Sequence, residues 1–275
     1  MLRNILQYCS LWIICVMMCF HYASAQDSVV FRLAETRKGN WIDFQVDNLG
    51  NYYLLSKENQ LKKINSRGDS VGAFNEVRRY GKLYSMDVTN PLKTLLYYRN
   101  FSTILVLDRF MNIVNTIDLR KQQIFQVSAI AQSYDNNIWV YDEQNNKLKK
   151  IAEDGSILME TIDLRTIFDE VPSPEKIIDQ EGYVYLYDPK KGVYVFDIYG
   201  SFKSKISYLN LTDVTVIGKT FAGVDKDQLL LYTFGTLQER KWKLPPSSES
   251  PYKKIILNRG YLYMLRDQEI LIFTY

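Results

Sequence analysis

A repeated unit of short strands and polar turns constrains the fold more than any other feature of this chain. Its clearest copy is residues 136–156, which read NNIWVYDEQNNKLKKIAEDGS. Residues 138–141 (IWVY) have the β-branched and aromatic side chains of a packed strand. A polar turn follows, then a second strand that ends at Ile151, then a turn in which Gly155 suits a positive φ. The unit therefore predicts a β-hairpin.

Six copies of this hairpin follow one another along the chain. The position at the end of its first strand recurs at spacings of 43, 43, 46, 45 and 33 residues. The six positions are Ser56, Arg99, Asp142, Asp188, Thr233 and Arg266. A further strand is predicted upstream of each, at residues 41–46, 84–88, 127–131, 175–179, 216–221 and 253–257. Closing strands are predicted at residues 113–119, 157–164 and 202–209.

A period near 45 residues, with strands this short and this dense, is typical of a β-propeller. Each four-stranded blade buries its two faces against its neighbours, and ring closure protects the sheet edges. The 250 residues after residue 25 have room for six blades. We therefore predict an all-β, six-bladed β-propeller in a single domain, residues 26–275. An irregular sandwich or a solenoid is the alternative.

Two irregular copies lead to further predictions. The last copy ends at Tyr275, directly after its third strand. We predict that residues 29–33 (VVFRL) supply its outer strand by pairing with residues 270–273, which would close the ring. The fifth copy is short, and Pro245-Pro246 follows its last strand at once, so its outer strand is predicted to be missing or rudimentary. The only helical turn expected is near residues 166–170.

The first 25 residues have the pattern of a secretory signal peptide. Arg3 precedes an apolar run at residues 11–20, and residues 23–25 (ASA) form a small-residue cleavage site before Gln26. This pattern predicts export to a periplasmic, cell-surface or secreted location. A lipoprotein modified at Cys19 is the alternative.

The predicted leader contains every cysteine and the only histidine of the chain, at Cys9, Cys15, Cys19 and His21. The exported chain would have no disulfide, no thiolate nucleophile and no His- or Cys-bound metal. Ser-His-Asp and Cys-His catalysis are thereby excluded. Loss of Arg3 lowers the net charge from +3 to +2. Pairs such as Lys62-Lys63 and Lys149-Lys150 then indicate solvated strand faces, and we expect no nucleic-acid binding.

The units GNYYLL…LKKI…GDS and NIWVYD…LKKI…DGS resemble those of NHL-type and related TolB-like six-bladed propellers. They resemble in particular the exported six-bladed propeller proteins common in Bacteroidota. The resemblance covers nearly all of residues 29–275 and implies the fold, but its motifs are degenerate and leave the function open. It also implies that the Asp-Ser-Val triplets at residues 27–29 and 69–71 are similar to an O-glycosylation acceptor pattern, with Ser28 and Ser70 as acceptors.

Propellers commonly bind ligands at the mouth of the central channel. Counting thirteen residues back from each hairpin position, or twelve in the second copy, gives Asp43, Asp87, Ala129, Glu175, Thr220 and Lys253. These carboxylates and this lysine could form a ring that binds a ligand or a cation. The alternative is that the side chains are solvated, or pair with Lys253 and Lys176. Strand tyrosines are expected to pack between blades, and Arg99 and Arg266 are candidate recognition residues beside them.

The function we predict is that of a non-catalytic binding or scaffolding propeller. It would be a monomer without a cofactor that recognises a protein, peptide or glycan at one face of the disc. Six-bladed lactonases resemble this fold and hold calcium in the channel. The alternative is therefore a calcium-dependent, lactonase-like hydrolase that uses Asp43, Asp87 and Glu175 as ligands.

Overall fold

The chain folds into six antiparallel sheets of four strands each, as predicted. The structure, a computed structural model, describes residues 29–247 and 250–275. The predicted signal peptide, the alternative lipidation site Cys19 and the acceptor Ser28 lie outside the described residues. Within them, 24 strands account for all six blades of a β-propeller.

Each blade has an inner strand next to the axis, two middle strands and an outer strand. The inner strands are β2 (Asp43–Val46), β6 (Ser85–Asn90), β10 (Val127–Gln132), β14 (Lys176–Gln180), β18 (Thr212–Ile217) and β22 (Lys254–Asn258). The second strands are β3 (Tyr52–Leu55), β7 (Lys93–Tyr98), β11 (Ile138–Asp142), β15 (Tyr183–Asp188), β19 (Thr220–Asp225) and β23 (Tyr261–Arg266).

The third and outer strands complete the blades. The third strands are β4 (Leu61–Ile64), β8 (Thr103–Asp108), β12 (Lys147–Ile151), β16 (Gly192–Asp197), β20 (Gln228–Thr233) and β24 (Glu269–Thr274). The outer strands are β5 (Ser70–Phe74), β9 (Ile113–Asp118), β13 (Ile157–Glu160), β17 (Phe202–Ile206), β21 (Gln238–Lys243) and β1 (Arg32–Lys38).

Helical structure in the described residues is confined to single turns between strands. They are α1 (Val77–Tyr80) and three 3₁₀ turns, Arg99–Phe101, Leu119–Gln122 and Leu164–Thr166. The last of these overlaps the turn expected from the sequence, and the other three were not expected. Gly155 has φ +88°, the left-handed conformation that the sequence predicted for its turn.

The six inner strands form a closed ring, because each one contacts the inner strands of both neighbouring blades. Six buried apolar clusters lie among the described residues, one at each junction between blades. Tyrosines contribute to these junctions as expected. The Tyr97 hydroxyl donates to the Val127 carbonyl, and Tyr141 donates in the same way to Pro172, 2.7 Å away. Each ring therefore packs in one junction and bonds to the neighbouring blade.

The lysine pairs correct one prediction, because several of these lysines are buried. Lys63, Lys149 and Lys150 lie on the third strands β4 and β12, which adjacent blades cover on both faces. Lys149 Nζ lies 2.8 Å from the buried carboxylate of Asp142. Lys150 Nζ lies 2.9 Å from Asp135 and 4.6 Å from the centre of the Trp139 ring. These lysines are thus buried and paired, Lys149 with a buried carboxylate and Lys150 with an exposed one, so the description of solvated strand faces is wrong here.

The fifth blade corrects a second prediction, because it has four full strands. Thr233 ends the third strand of this blade rather than the second, and residues 238–243 form its outer strand β21. The second strand, β19, reads TFAGVD. Its small residues differ from the large ones expected in a second strand, so its sequence resembles that of an inner strand. The blade therefore has all four strands, and its shorter sequence comes from shorter loops.

The N-terminal strand closes the last blade, which confirms the prediction. β1 pairs antiparallel with β24, with Arg32 opposite Thr274 and Leu33 opposite Phe273. Of the predicted segment, only residues 32 and 33 belong to the strand, which begins three residues later and ends five residues later than predicted. A bulge between Leu33 and Glu35 shifts its register. The Arg37 guanidinium lies 4.4 Å from the centre of the Tyr52 ring in the first blade. The first strand thus joins the last blade to the first.

A disulfide between β1 and β24 tests this closure. We expect the double substitution Arg32→Cys and Thr274→Cys to form a disulfide, because residues directly opposite in an antiparallel pair have suitable Cα distances. The two positions are 242 residues apart, so the chain-entropy model gives an upper limit of about 5 kcal/mol. Thermal unfolding of the oxidised variant should occur at a higher temperature than that of the same variant after reduction. Identical melting curves would contradict the pairing.

Candidate functional site

The central channel forms a cavity with a volume of about 1340 Å³. Residues from all six inner strands line it. Along β2, β18 and β22, half-buried side chains alternate with buried ones, which is the period-two pattern of a strand whose one face borders a cavity. We call the face where the inner strands begin the upper face, and the opposite one the lower face.

Five charged side chains near the upper end of the channel form what we call the charged layer. They are Asp43, Asp87, Lys176, Asp213 and Lys254, one from each blade except the third. In the third blade, β10 is fully buried and contributes Ala129 to the cavity. The layer therefore combines three carboxylates and two ammonium groups around one opening.

Each member of the charged layer bonds to a neighbouring blade. Lys254 Nζ lies 2.5 Å from Asp43 Oδ1, which joins the last blade to the first. Lys176 Nζ donates to the Val214 carbonyl at 2.6 Å, from the fourth blade to the fifth.

The other two carboxylates accept backbone N–H groups across a junction. Asp87 Oδ2 accepts from Gln132 and Asp213 Oδ2 from Ile255, each at 2.9 Å. Charged groups that line the channel thus also hold the ring of inner strands together.

The environment of the charged layer shifts two pKa values toward the neutral forms. Burial, and then the nearby Lys254, lower the pKa of Lys176 to about 8, and Asp213, Asp87 and Asp43 oppose this shift. Burial raises the pKa of the Asp213 carboxyl above its usual value, against the bond from Ile255 and the two lysines. Desolvation therefore dominates at both groups, as in many ligand-binding sites.

Half of the residues predicted to bind at the channel mouth do line the channel. Asp43, Asp87 and Glu175 border the cavity, with Glu175 exposed just before β14. Lys253 lies off the cavity and pairs with Asp267 at 2.6 Å. Thr220 is on the second strand of its blade, where its hydroxyl lies 3.1 Å from that of Thr233, so its placement on an inner strand was wrong.

Sequence reasoning missed three members of the charged layer, Lys176, Asp213 and Lys254. Lys176 and Lys254 each stand one residue after a counted position, so the strands begin one residue later than assumed. Asp213 was missed because the count in the fifth blade started from the third strand. The signal for it was a TDVTVI segment, which alternates polar and apolar side chains as an inner strand does.

The calcium alternative has no ready-made ligand set in the described residues, where no three acidic side chains come together as a group that could hold a metal ion. Asp43 is paired with Lys254, and Asp87 accepts two backbone N–H groups, from Thr89 and Gln132. These bonds engage Asp43 Oδ1 and both carboxylate oxygens of Asp87.

A polar network runs across the upper face from the second blade to the fourth. Arg99 donates to the Tyr84 hydroxyl at 3.1 Å and to Glu143 at 3.2 Å, and its guanidinium lies over the Tyr84 ring. Glu143 also accepts from the Ser173 hydroxyl at 2.8 Å. The Ser173 amide in turn donates to Asp188. The predicted recognition residue Arg99 is thus held in a fixed position beside the channel.

Three exposed aromatic side chains surround this network, and we call them the rim aromatics. Tyr84, Phe101 and Phe125 come from the loops of the second and third blades and are 46%, 41% and 53% exposed. The Ser102 hydroxyl donates to the Phe125 carbonyl and ties two of these loops together. The other predicted arginine, Arg266, lies at the end of β23, where it donates to Glu269, outside the channel. Arg99 thus lies among exposed aromatic side chains on the upper face.

Comparisons with known proteins agree with the fold. No family model matches the sequence, and no curated protein matches it. A catalytically inactive variant of virginiamycin B lyase from Staphylococcus aureus with quinupristin is 12% identical, with a TM-score of 0.62, over 90% of this chain and 100% of that one. The Neurospora crassa Pan2 WD40 domain is 9% identical, with a TM-score of 0.66, over 90% and 96% of the two chains.

BamB from Moraxella catarrhalis is also similar. It is 11% identical, with a TM-score of 0.53, over 90% of this chain and 100% of that one. At these identities the likeness shows the propeller fold and nothing about the ligand. The chain is therefore a six-bladed β-propeller, and its function has to be inferred from the residues of the site. No helix in the described residues has both the length and the apolar character needed to cross a membrane.

Substitutions of Asp213 test whether its carboxylate holds the fifth and sixth blades together. Asp213 has φ +52°, which Asn and Gly tolerate better than Ala. Asp213→Ala also removes the acceptor for the buried Ile255 amide, so we expect it to cost about 1–3 kcal/mol. Asp213→Asn should cost less, since an amide oxygen can still accept. The free energy of unfolding in urea measures both.

Asp213→Gly separates the two causes, because it relieves the backbone strain without restoring the acceptor. It should be more destabilising than Asp213→Asn, because the Ile255 amide still lacks its acceptor. Stability equal to that of the Asn variant would mean that the hydrogen bond is unimportant.

Proposed function

We propose that this protein is an exported, non-catalytic binding propeller that recognises a protein or peptide with its upper face and needs no cofactor. The observation that carries the proposal is the combination of the rim aromatics with the fixed guanidinium of Arg99 beside an open channel. Tyrosine and arginine side chains dominate the binding energy of protein interfaces, and a side chain that is already held in place loses little entropy on binding.

The fold neighbours support a binding function only in general terms. They include a lyase with quinupristin, a WD40 domain and BamB, so the same architecture serves very different proteins. Each group of the charged layer bonds to a neighbouring blade, which gives the channel wall a fixed geometry of the kind that a binding site needs.

The experiment is affinity capture from the envelope of the cells that make the protein. The test variant is Tyr84→Ser, Phe101→Ser and Phe125→Ser combined. The matched control replaces three exposed tyrosines of the lower face, Tyr134→Ser, Tyr183→Ser and Tyr261→Ser, which are 63%, 43% and 44% exposed. Both triple variants remove three exposed rings, so both should fold, which thermal unfolding checks.

We expect the upper-face variant to lose the captured partner, with at least about a tenfold loss of affinity for three anchor side chains. The lower-face control should keep it. Retention by the upper-face variant and loss by the control would overturn the choice of face. A partner bound only in the presence of added calcium, and released by a chelator, would instead support the calcium alternative.

Export is the second part of the proposal, and the mature N-terminus tests it. The intact mass of the protein purified from the envelope should correspond to residues 26–275, since signal peptidase cleaves after a small-residue site. A mass that includes residue 19 with an attached lipid would support the lipoprotein alternative. A mass of the whole chain in the cytoplasm would contradict export.

A further inference from the structure

The channel wall formed by the fourth, fifth and sixth blades changes from charged to apolar along each strand. On β14, Lys176 is followed two residues later by Ile178, and on β22, Lys254 is followed by Ile256. On β18, Asp213 is followed two residues later by Thr215 and four residues later by Ile217. All seven side chains line the cavity and are half-buried. One wall of the channel therefore presents charges of both signs at the top and three isoleucines below them.

The charged part of this wall has unused bonding capacity. A lysine ammonium has three N–H donors, and Lys176 and Lys254 each use one, on the Val214 carbonyl and on Asp43. Asp213 accepts with Oδ2, and its Oδ1 has no partner in the described residues. These donors and this acceptor are where a ligand can bind without breaking the bonds between blades.

The mouth of the channel adds one more acceptor. Glu175 is exposed beside Lys176, and its carboxylate forms no hydrogen bond or ion pair with another described residue. A ligand at the top of the channel thus meets two ammonium groups and two carboxylates that can form further hydrogen bonds. The five groups of the charged layer carry a formal net charge of −1 when all are ionised, so neither sign dominates.

We propose that this wall binds a small zwitterion with an apolar side chain, of the class of a hydrophobic amino acid or the end of a short peptide. The ligand carboxylate bonds to Lys176 and Lys254, its ammonium group to Asp213 and Glu175, and its side chain contacts Ile178, Ile217 and Ile256. The inference rests on the proposed function only for the choice of peptides as the ligand class, because the channel lies beside the rim aromatics.

Charge complementarity favours a zwitterion over a simple ion. A lone anion at Lys176 would also face Asp43, Asp87 and Asp213, and a lone cation at Asp213 would face both lysines. Like-charge contacts of this kind oppose binding. A zwitterion pairs with the charges of both signs at once. Its groups also take the place of water at Lys176 and Asp213, which are already largely removed from solvent.

The direct experiment is titration calorimetry at pH 7 with leucyl-leucine and three matched compounds. N-acetyl-leucyl-leucine lacks the ammonium group, leucyl-leucine amide lacks the carboxylate, and glycyl-glycine lacks the apolar side chains. We expect leucyl-leucine to bind at least about tenfold more tightly than each of the others, because each loses one of the three contacts. Equal affinity for all four, or no measurable binding of leucyl-leucine, would overturn the proposal.

Channel variants locate the site. Lys176→Gln and Asp213→Asn remove the charge but keep a donor or an acceptor for the bond between blades, so both should fold. Each should weaken leucyl-leucine about tenfold, whereas Lys253→Gln should not, because Lys253 adjoins Lys254 in sequence but pairs with Asp267 off the channel. If one channel variant fails to fold, Ile256→Ser provides a second test. It should weaken the binding of leucyl-leucine and leave that of glycyl-glycine unchanged. An equal effect of Lys253→Gln would contradict the assigned site.

The pH dependence gives an independent signature. Lys176 faces Lys254 on β22, Asp213 on β18, Asp87 on β6 and Asp43 on β2, and only its protonated form binds a carboxylate. Because the pKa of Lys176 is about 8 and the α-amino group of the ligand also loses its proton near pH 8, affinity should fall as pH rises above about 8, by up to about a hundredfold per pH unit. The Lys176→Gln variant should keep only the ligand's share of this fall, at most about tenfold per pH unit. A wild-type affinity that stays constant from pH 7 to 9.5 would exclude Lys176 as the ligand's partner.

The two proposals fail separately. The upper-face triple variant should lose the captured partner and keep leucyl-leucine, because the isoleucine wall and the charged layer are unchanged. If leucyl-leucine does not bind while the partner is still captured through the rim aromatics, only the channel inference is wrong.

Discussion

The burial of apolar side chains between adjacent blades is the interaction on which the rest of this structure depends. No blade has a core of its own, and each of the six buried clusters draws its members from two neighbouring blades. A four-stranded sheet with two apolar faces is stable only when both are covered. Every blade is therefore stabilised by its neighbours, and the ring is the smallest unit that leaves no apolar face exposed.

The polar groups of the channel follow from this arrangement. Inner strands converge at the axis, where the apolar clusters end and backbone N–H groups of one blade meet side chains of the next. Asp179 shows the principle, since its Oδ2 accepts from the Ser133 hydroxyl, the Tyr134 amide and the Trp139 indole of the preceding blade. Carboxylates at the axis satisfy donors that would otherwise be buried without partners. A ligand site in such a channel is necessarily built from groups that also have a structural role.

The repeat allowed most of the architecture to be predicted from the sequence. Blade number, ring closure by β1 and most strand positions follow from period and alternation, which the twofold burial of each blade imposes on the residues. The strands of the fifth blade were assigned wrongly because β19 has the small residues Ala222 and Gly223 where the other second strands have large ones. Gly223 has to be small, since a Cβ there would lie 2.9 Å from Leu211.

The site was less predictable for a physical reason. Asp43, Asp87 and Glu175 were found because the strand count reaches the channel or its mouth in the first, second and fourth blades. Which lysine faces the channel depends on register, and a one-residue error exchanges Lys253 for Lys254. Arg99 and Glu143 belong to two different blades and are 44 residues apart in sequence, so no local sequence pattern predicts their contact. Contacts between blades are the part of a propeller that a repeat cannot encode.

The pairing of β1 with β24 has a consequence for how the protein is made. Strands at opposite ends of the chain share one sheet, so the ring stays open until the last residues of β24 have been synthesised and have reached the same compartment as β1. Until then the first and last junctions expose apolar surface, and the closing step must overcome the entropy of a loop that spans nearly the whole chain. Once formed, the seam lies inside a hydrogen-bonded sheet rather than between two blades, so opening the disc requires breaking a ladder of backbone hydrogen bonds.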